Sequence, residues 1–131
     1  MNANELMLEN YVEFENQLHQ VIGITKDKIN LSRKSDSGKN NITYWVGICN
    51  VKPILLSEYW LKDLGFSYNN NWHYYLGINP LTKDYLIDIC WIDGDESPFY
   101  RNGHFRIKHV NQLQNLHFAL TGNLLQLVEP N

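Results

Sequence analysis

Charge is missing from the last part of the chain. Residues 109–128, HVNQLQNLHFALTGNLLQLV, contain no Lys, Arg, Asp or Glu, although 19% of all residues are charged. The solvated face of a helix usually carries charge, whereas the centres of protein interfaces are depleted of it. Because amides cost less to desolvate than ions, this stretch predicts a helix whose polar face is covered by another molecule.

Long apolar runs and a basic N-terminal segment are absent as well. No run approaches the ~18 to 20 apolar residues of a membrane span. Residues 1–16 contain four acidic residues and no basic one, the reverse of a signal peptide. A hydrophobic content of 44% is too high for a disordered chain, and 131 residues suit one domain. We therefore expect a single cytoplasmic domain, residues 1–131, with no membrane partner and an oligomeric state that the sequence leaves open.

Catalytic and metal-binding motifs are also lacking. The two cysteines, Cys49 and Cys90, each end an apolar run, WVGIC and LIDIC, which predicts small buried side chains rather than a disulfide. No Cys-x-x-Cys or His-x-x-x-His spacing occurs, so we expect no metal and no cofactor. Nucleophile elbows, phosphate loops and dinucleotide fingerprints are missing. The sequence therefore does not predict an enzyme.

Acidic residues are concentrated in one segment, which contains Asp84, Asp88, Asp93, Asp95 and Glu96. Two such carboxylates could perform acid–base chemistry or hold Mg²⁺, and this is the one feature that favours an enzyme. A solvated turn explains the Asp-Gly-Asp-Glu-Ser-Pro stretch more simply. As a binding surface, Asp93, Asp95 and Glu96 would meet a basic groove on a partner, because a run of negative charge imitates nucleic-acid phosphate.

Hydrophobic periodicity predicts an α+β fold, a twisted antiparallel β-sheet meander covered by two helices at about 57–64 and 110–121. Ser57 is the expected N-cap of the first helix and Gly65 its C-terminal stop. Asn69, Asn70 and Asn71 suit a hairpin turn, since asparagine tolerates left-handed backbone angles. The expected strands are 11–14, 18–24, 28–32, 42–48, 66–68, 72–77, 84–92 and 104–108, with 124–128 returning as an edge strand.

The second helix has two distinct faces at ~100° per residue. One is an apolar stripe, expected to face the core, that comprises Val110, Leu113, Leu116, His117 and Leu120. On it, His117 is a partly buried histidine with one hydrogen-bond partner. The other face holds Asn111, Gln114, Asn115 and Phe118, which we expect to bind a partner with Phe118 as the anchor. The alternative is that Phe118 packs inside the domain. From the first helix, Trp60, Leu61 and Leu64 are expected to join the core.

Basic residues form a separate cluster of Lys26, Lys28, Arg33, Lys34 and Lys39. Lysine and arginine beside strands can follow a phosphate backbone, which gives an alternative function as an RNA-binding or DNA-binding module. A solvated hairpin loop explains the cluster equally well. The net charge of −3 and the pI of about 5.9 argue against a general nucleic-acid binder.

Three segments carry a resemblance to a known group of proteins. The opening NELMLENYV, the middle KPILLSEYWLKDLGF and the closing HVNQLQNLHFALTGNLLQL resemble small uncharacterised phage and prophage proteins of one group of Gram-negative bacteria. In those proteins ELRIGNYV, PIPLTEEWLLKLGF and VHQLQNLYFALTGEEL recur in the same order. This chain differs after Thr-Gly, where Asn123 and Leu124 stand in place of the usual glutamate.

The resemblance implies an origin in a mobile element, and it brings no activity, cofactor or catalytic residue. Small phage accessory proteins often act by binding a host or defence protein, which is an analogy. We therefore expect an accessory protein that binds a macromolecule and inhibits a bacterial defence effector, such as a CRISPR nuclease or another nucleoprotein. Besides nucleic-acid binding, the second alternative is a protein that binds a small ligand.

Overall fold

The computed structural model describes residues 5–69, 72–78, 85–92, 94–101 and 103–128. The chain divides into two compact units. Unit 1 comprises residues 1–55 and 109–124, and unit 2 comprises residues 56–108 and 125–131. Each unit thus comprises two separate stretches of the chain, which passes from one unit to the other three times. The single domain expected from the length stays a prediction.

Unit 1 contains a four-stranded antiparallel sheet in the order β1-β2-β3-β4, so each strand pairs with the next strand in the sequence. The strands are β1 (Tyr11–Phe14), β2 (Gln17–Ile24), β3 (Lys28–Lys34) and β4 (Asn41–Gly47), and a short 3-10 turn follows at Ile48–Asn50. Because side chains alternate across a strand, Val12, Val21, Ile29 and Leu31 share one face, where all are fully buried. This face is the core of unit 1.

The helix of unit 1, α2 (Val110–Thr121), has the bounds expected from the sequence. At its start Gln112 accepts a hydrogen bond from the His109 backbone N–H and completes a capping box. At its end Gly122 adopts the left-handed conformation, with φ of 74°, and its N–H donates to the carbonyl of Phe118. A residue with a side chain would be strained at that backbone angle.

Unit 2 contains a five-stranded antiparallel sheet in the order β5-β6-β7-β8-β9. The strands are β5 (Ser67–Asn69), β6 (His73–Ile78), β7 (Tyr85–Cys90), β8 (Phe99–Tyr100) and β9 (Phe105–Arg106). Its helix, α1 (Glu58–Asp63), begins after Ser57, whose hydroxyl accepts from the Trp60 N–H at 3.2 Å as expected of the N-cap. The buried apolar residues include Leu61, Leu64, Phe66, Ile87, Ile89 and Ile107.

The α+β class is confirmed, but the described strands form two sheets instead of one sheet under two helices. Each sheet is itself a meander. The sequence pattern of short strands with turns between them is the same in both arrangements, so periodicity could not show that pairing stops after β4. The hairpin around Asn69 is confirmed, because Asn69 opposes His73. Asn70 and Asn71 lie outside the described residues, and Trp72 adopts a positive φ of 66°.

Several local expectations are wrong. Residues 124–128 form no strand, and the Val128 N–H donates to the carbonyl of Asp63 at the end of α1. Cys49 is exposed in the 3-10 turn, whereas Cys90 is half-buried in β7, and both are free thiols. Of the expected core leucines of α2, Leu113 is fully buried, Leu116 is half-buried and Leu120 is 45% exposed.

The two leucines of α2 provide a matched test of this helix orientation. Leu113→Ala should lower the free energy of unfolding by about 2 to 5 kcal/mol because it opens a cavity. Leu120→Ala should change it by no more than about 0.5 kcal/mol, since the side chain already faces solvent. Urea denaturation of both variants measures the difference, and equal losses would show that α2 is rotated from the described orientation.

Candidate functional site

The amides of α2 face the protein's own N-terminal segment. Gln114 makes two hydrogen bonds to the backbone of this segment: its Oε1 accepts from the Tyr11 N–H at 2.8 Å, and its Nε2 donates to the Glu9 carbonyl at 3.2 Å. The side chain is only 4% exposed. A glutamine amide presents the same donor and acceptor as a peptide group, so Gln114 occupies the place of a neighbouring strand.

The two asparagines of α2 extend these contacts. Asn111 and Asn115 each donate from Nδ2 to the Glu5 carbonyl, at 3.1 and 3.0 Å. Asn115 Oδ1 accepts from Asn10 Nδ2 at 2.9 Å. We call Asn111, Gln114 and Asn115 the amide clasp. These contacts join residues more than a hundred positions apart in the sequence.

The amide clasp corrects the expectation of a partner surface at these residues. Asn111 is 2% exposed and Gln114 is buried beside it, so neither is free to meet another molecule, and Asn115 is already bound. The physical reason lies in the edge strand β1. Its outward backbone groups need hydrogen bonds, and the clasp supplies them at Glu9 and Tyr11 while the Lys52 backbone bonds to Glu13.

His117 lies on the same side of α2 and is 9% exposed, so it is more buried than the partly buried histidine expected from the sequence. Its Nδ1 lies 2.9 Å from the Asn123 carbonyl oxygen, so this nitrogen carries the proton and donates it. Thr121 Oγ1 lies 3.4 Å from the same nitrogen. The histidine therefore fixes the chain reversal that follows the helix.

The solvent side of α2 is the surface that remains available. Leu116 is half-buried, and the more exposed positions are Gln112, Phe118, Ala119 and Leu120. Phe118 is 39% exposed, so it is neither the fully buried side chain of one expectation nor a fully solvated anchor. None of these side chains carries a charge. We call Gln112, Leu116, Phe118, Ala119 and Leu120 the uncharged helix face.

The basic residues do not converge. Lys26 lies in the β2–β3 turn and Lys28 starts β3, whereas Lys34 ends β3 and Lys39 lies in the following loop. The two ends of this strand are roughly 20 Å apart at ~3.3 Å per residue. Arg33 lies on the face of β3 that carries the core residues Ile29 and Leu31, and its Nη1 is 3.7 Å from Asp36 Oδ1. A single basic hairpin surface is therefore replaced by two separate groups.

The carboxylates are also separated, and each described aspartate of the segment has its own cation. Asp95 Oδ2 lies 3.7 Å from Arg106 Nη1 in a turn closed by the Asp95 N–H and the Ile92 carbonyl. Glu96 is exposed beside it. This geometry supports the turn interpretation. Asp84 and Asp93 lie outside the described residues.

Asp88 forms a network that sequence reasoning missed. Its Oδ1 lies 2.8 Å from His73 Nδ1, and its Oδ2 accepts from Arg101 Nη1 at 3.2 Å. Only the strand register brings the two residues together: His73 opposes Cys90, and Asp88 lies two residues from Cys90 on the same face of β7. An aspartate that holds one imidazole nitrogen leaves the other free for proton transfer. Arg101 on the same carboxylate makes the network primarily an ion-pair cluster on the sheet.

An open cavity of about 520 Å³ lies in unit 2 between α1 and the β5–β6 hairpin. It is lined by Glu58, Tyr59, Lys62, Phe66, Tyr68 and Tyr74. Burial, reinforced by a hydrogen bond to Glu58, raises the pKa of Tyr74 above its ordinary value. The Tyr74 hydroxyl is therefore a donor to the Glu58 carboxylate, which it holds beside the aromatic rings.

No group of three His, Cys, Asp or Glu side chains among the described residues is placed to hold a metal ion. No helix of the described part is both long enough and apolar enough to cross a membrane. Comparison of the chain with models of protein families, with curated proteins and with solved structures finds no match in any of the three.

Removal of the Gln114 amide tests its structural role. Gln114→Met keeps the side-chain length but removes the acceptor of the Tyr11 N–H and one of the two side-chain donors to the Glu9 carbonyl, the other being Gln20 Nε2. We expect the free energy of unfolding to fall by about 1 to 3 kcal/mol. The control Gln126→Met changes an exposed glutamine and should have an effect within about 0.5 kcal/mol. Thermal or urea unfolding measures both variants. An unchanged free energy of unfolding in Gln114→Met would contradict the structural role given to the Gln114 amide.

Proposed function

We propose that this protein acts without catalysis, by binding another protein through the uncharged helix face. One observation supports this most directly: the solvent side of α2 carries no charge and exposes Leu120 and Phe118, whereas the three amides of the clasp are turned toward the N-terminal segment. An ordinary surface helix has the opposite distribution. Removing water from such a face costs little free energy because it has no charges, and burying its apolar side chains against a partner stabilises the complex.

The amide clasp supports the proposal from the other side of the helix. It fixes α2 to the N-terminal segment through five hydrogen bonds: two from Gln114, to Tyr11 and Glu9, one each from Asn111 and Asn115 to Glu5, and one between Asn115 and Asn10. A helix held in this way presents its outer face in one orientation. Binding then costs less conformational entropy than it would for a loose element.

We infer further that the partner is a cytoplasmic defence effector of a bacterial host, a CRISPR nuclease or another nucleoprotein, and that the protein inhibits it. The support is the resemblance of the three sequence segments to phage and prophage proteins, together with the absence of a catalytic motif. In this proposal exposed Glu96 and half-buried Asp95 contribute by attracting a basic partner surface.

A second candidate function is the binding of a small ligand in the cavity of unit 2. Its specific support is the combination of aromatic rings from Tyr59, Tyr68 and Tyr74 with the opposite charges of Glu58 and Lys62. Ligand sites are usually more enclosed. Because the Tyr59 side chain is 81% exposed, it would cover little of a ligand's surface. We therefore rank ligand binding below protein binding.

Inhibition of target cleavage by purified CRISPR nucleases tests the leading proposal. The wild-type protein should suppress cleavage by one effector of the panel. Ala119→Glu should weaken that inhibition at least about 30-fold, because it places a charge in the middle of the uncharged helix face. Ser67→Glu adds the same charge at an exposed position of β5 and should inhibit as the wild type does.

Two results would contradict the proposal. One is an Ala119→Glu protein that stays folded and inhibits as strongly as the wild type. The other is the absence of inhibition across the panel together with unchanged phage plating on hosts that carry each defence system.

A further inference from the structure

Trp45 stands on the outer face of the four-stranded sheet. In β4 it follows Tyr44, which packs toward the core, so alternation directs Trp45 to the opposite face. It is 52% exposed, although large aromatic side chains bury more apolar area than most residues when they join a core. In the register it opposes Asn30 at the centre of β3.

The backbone beneath the indole is shaped to accept it. A β-bulge shifts the β2–β3 register between Val21 and Gly23. A Cβ atom added at Gly23 would lie 3.2 Å from Cη2 of Trp45 and 3.1 Å from Cβ of Asn30. The absence of a side chain at this position therefore lets the indole lie close to the sheet, with the bulge as its floor.

Acidic residues are scarce in the strands of this sheet. Strands β2, β3 and β4 contain no Asp or Glu, in a chain that has 14 acidic residues and a net charge of −3. The one acidic residue in the four strands is Glu13, on the outer face of β1 at the edge opposite β4. Lys28 and Lys34 lie on the same face as Trp45. Their partners in β4, Gly47 and Asn41, are two and four residues from Trp45, and side chains an even number of residues apart share a face. Asn30, which opposes Trp45, lies between the two lysines in β3. The lysines are roughly 20 Å apart at ~3.3 Å per residue.

Polar uncharged side chains fill the positions between these groups. Ser32 opposes Gln20 on one side and Thr43 on the other, so all three lie on the outer face. They offer hydrogen-bond donors and acceptors without adding charge. An aromatic platform with cations at both ends and such side chains between them matches the features of surfaces that bind single strands.

We infer that this face binds single-stranded nucleic acid, with a base stacked on Trp45 and backbone phosphates bound by Lys28 and Lys34. The inference is independent of the protein partner proposed for the uncharged helix face and uses different residues. We specify a single strand because the faces of bases in a duplex are covered by neighbouring base pairs, whereas an unpaired base can stack on Trp45. The phosphate contacts carry no sequence information.

Binding of a fluorescently labelled 12-nucleotide oligothymidine at low salt, followed by anisotropy, tests the inference. Trp45→Ala should weaken binding about tenfold, and Trp45→Phe should retain most of the affinity because it keeps an aromatic ring. Trp72→Ala is the matched control, since Trp72 is similarly exposed, at 45%, next to the other sheet. It should bind as the wild type does.

The salt dependence tests the lysines. Replacing both Lys28 and Lys34 by Glu should reduce the slope of log affinity against log salt by about 1.4, at ~0.7 for each phosphate contact. Four results would overturn the inference: no binding by the wild type at low salt, equal losses in Trp45→Ala and Trp72→Ala, an unchanged salt slope, or equal affinity for a duplex of the same length. Circular dichroism of each variant confirms that the fold is retained.

Discussion

Hydrogen bonding at an open sheet edge governs the arrangement of unit 1. Among the described residues, β1 pairs with β2 on one side and only with the isolated bridge residue Lys52 on the other. Beside that bridge, Gln114 of α2 accepts from the Tyr11 N–H and donates to the Glu9 carbonyl, which also accepts from Gln20. An unpaired buried peptide group costs about 1 to 3 kcal/mol, and this cost sets the rotation of the helix about its axis.

That rotation determines which residues are left to act. Because the amides turn inward, Leu120 and Ala119 turn outward, and a helix without charges becomes an apolar surface. The same unit carries its cations on the outer face of the sheet, where Lys28 and Lys34 lie on either side of Trp45. The unit thus has two chemically distinct surfaces, for which we propose a protein partner and a single nucleic-acid strand, respectively. A nucleoprotein effector would offer both.

The elements of this fold were predictable where the signal is local. The Ser57 cap, the bounds of α2, the hairpin at Asn69 and most strand positions follow from capping chemistry and from periodicity. The partition into two sheets was not predictable, because alternation within a strand says nothing about which strand pairs with it. Cys49 was wrongly placed in the core, since β4 ends at Gly47 and the 3-10 turn breaks the alternation.

The candidate surfaces were predictable only in part. The lack of charge in residues 109–128 indicated a covered helix, and the amides are covered, but by the N-terminal segment of the same chain. Amides serve a peptide backbone and a partner surface equally well, so sequence could not distinguish them. The pairing of His73 with Asp88 and the position of Trp45 over Gly23 depend on strand register and bulge geometry, which composition does not contain.

Amide hydrogen exchange at Tyr11 tests most directly whether α2 completes the edge of β1. The account predicts slow exchange in the wild-type protein and a large acceleration in Gln114→Met, whereas the Lys52 N–H, which donates to the Glu13 carbonyl on the same edge, keeps its protection. Free exchange at Tyr11 in the wild type, or equal protection in both proteins, would contradict it.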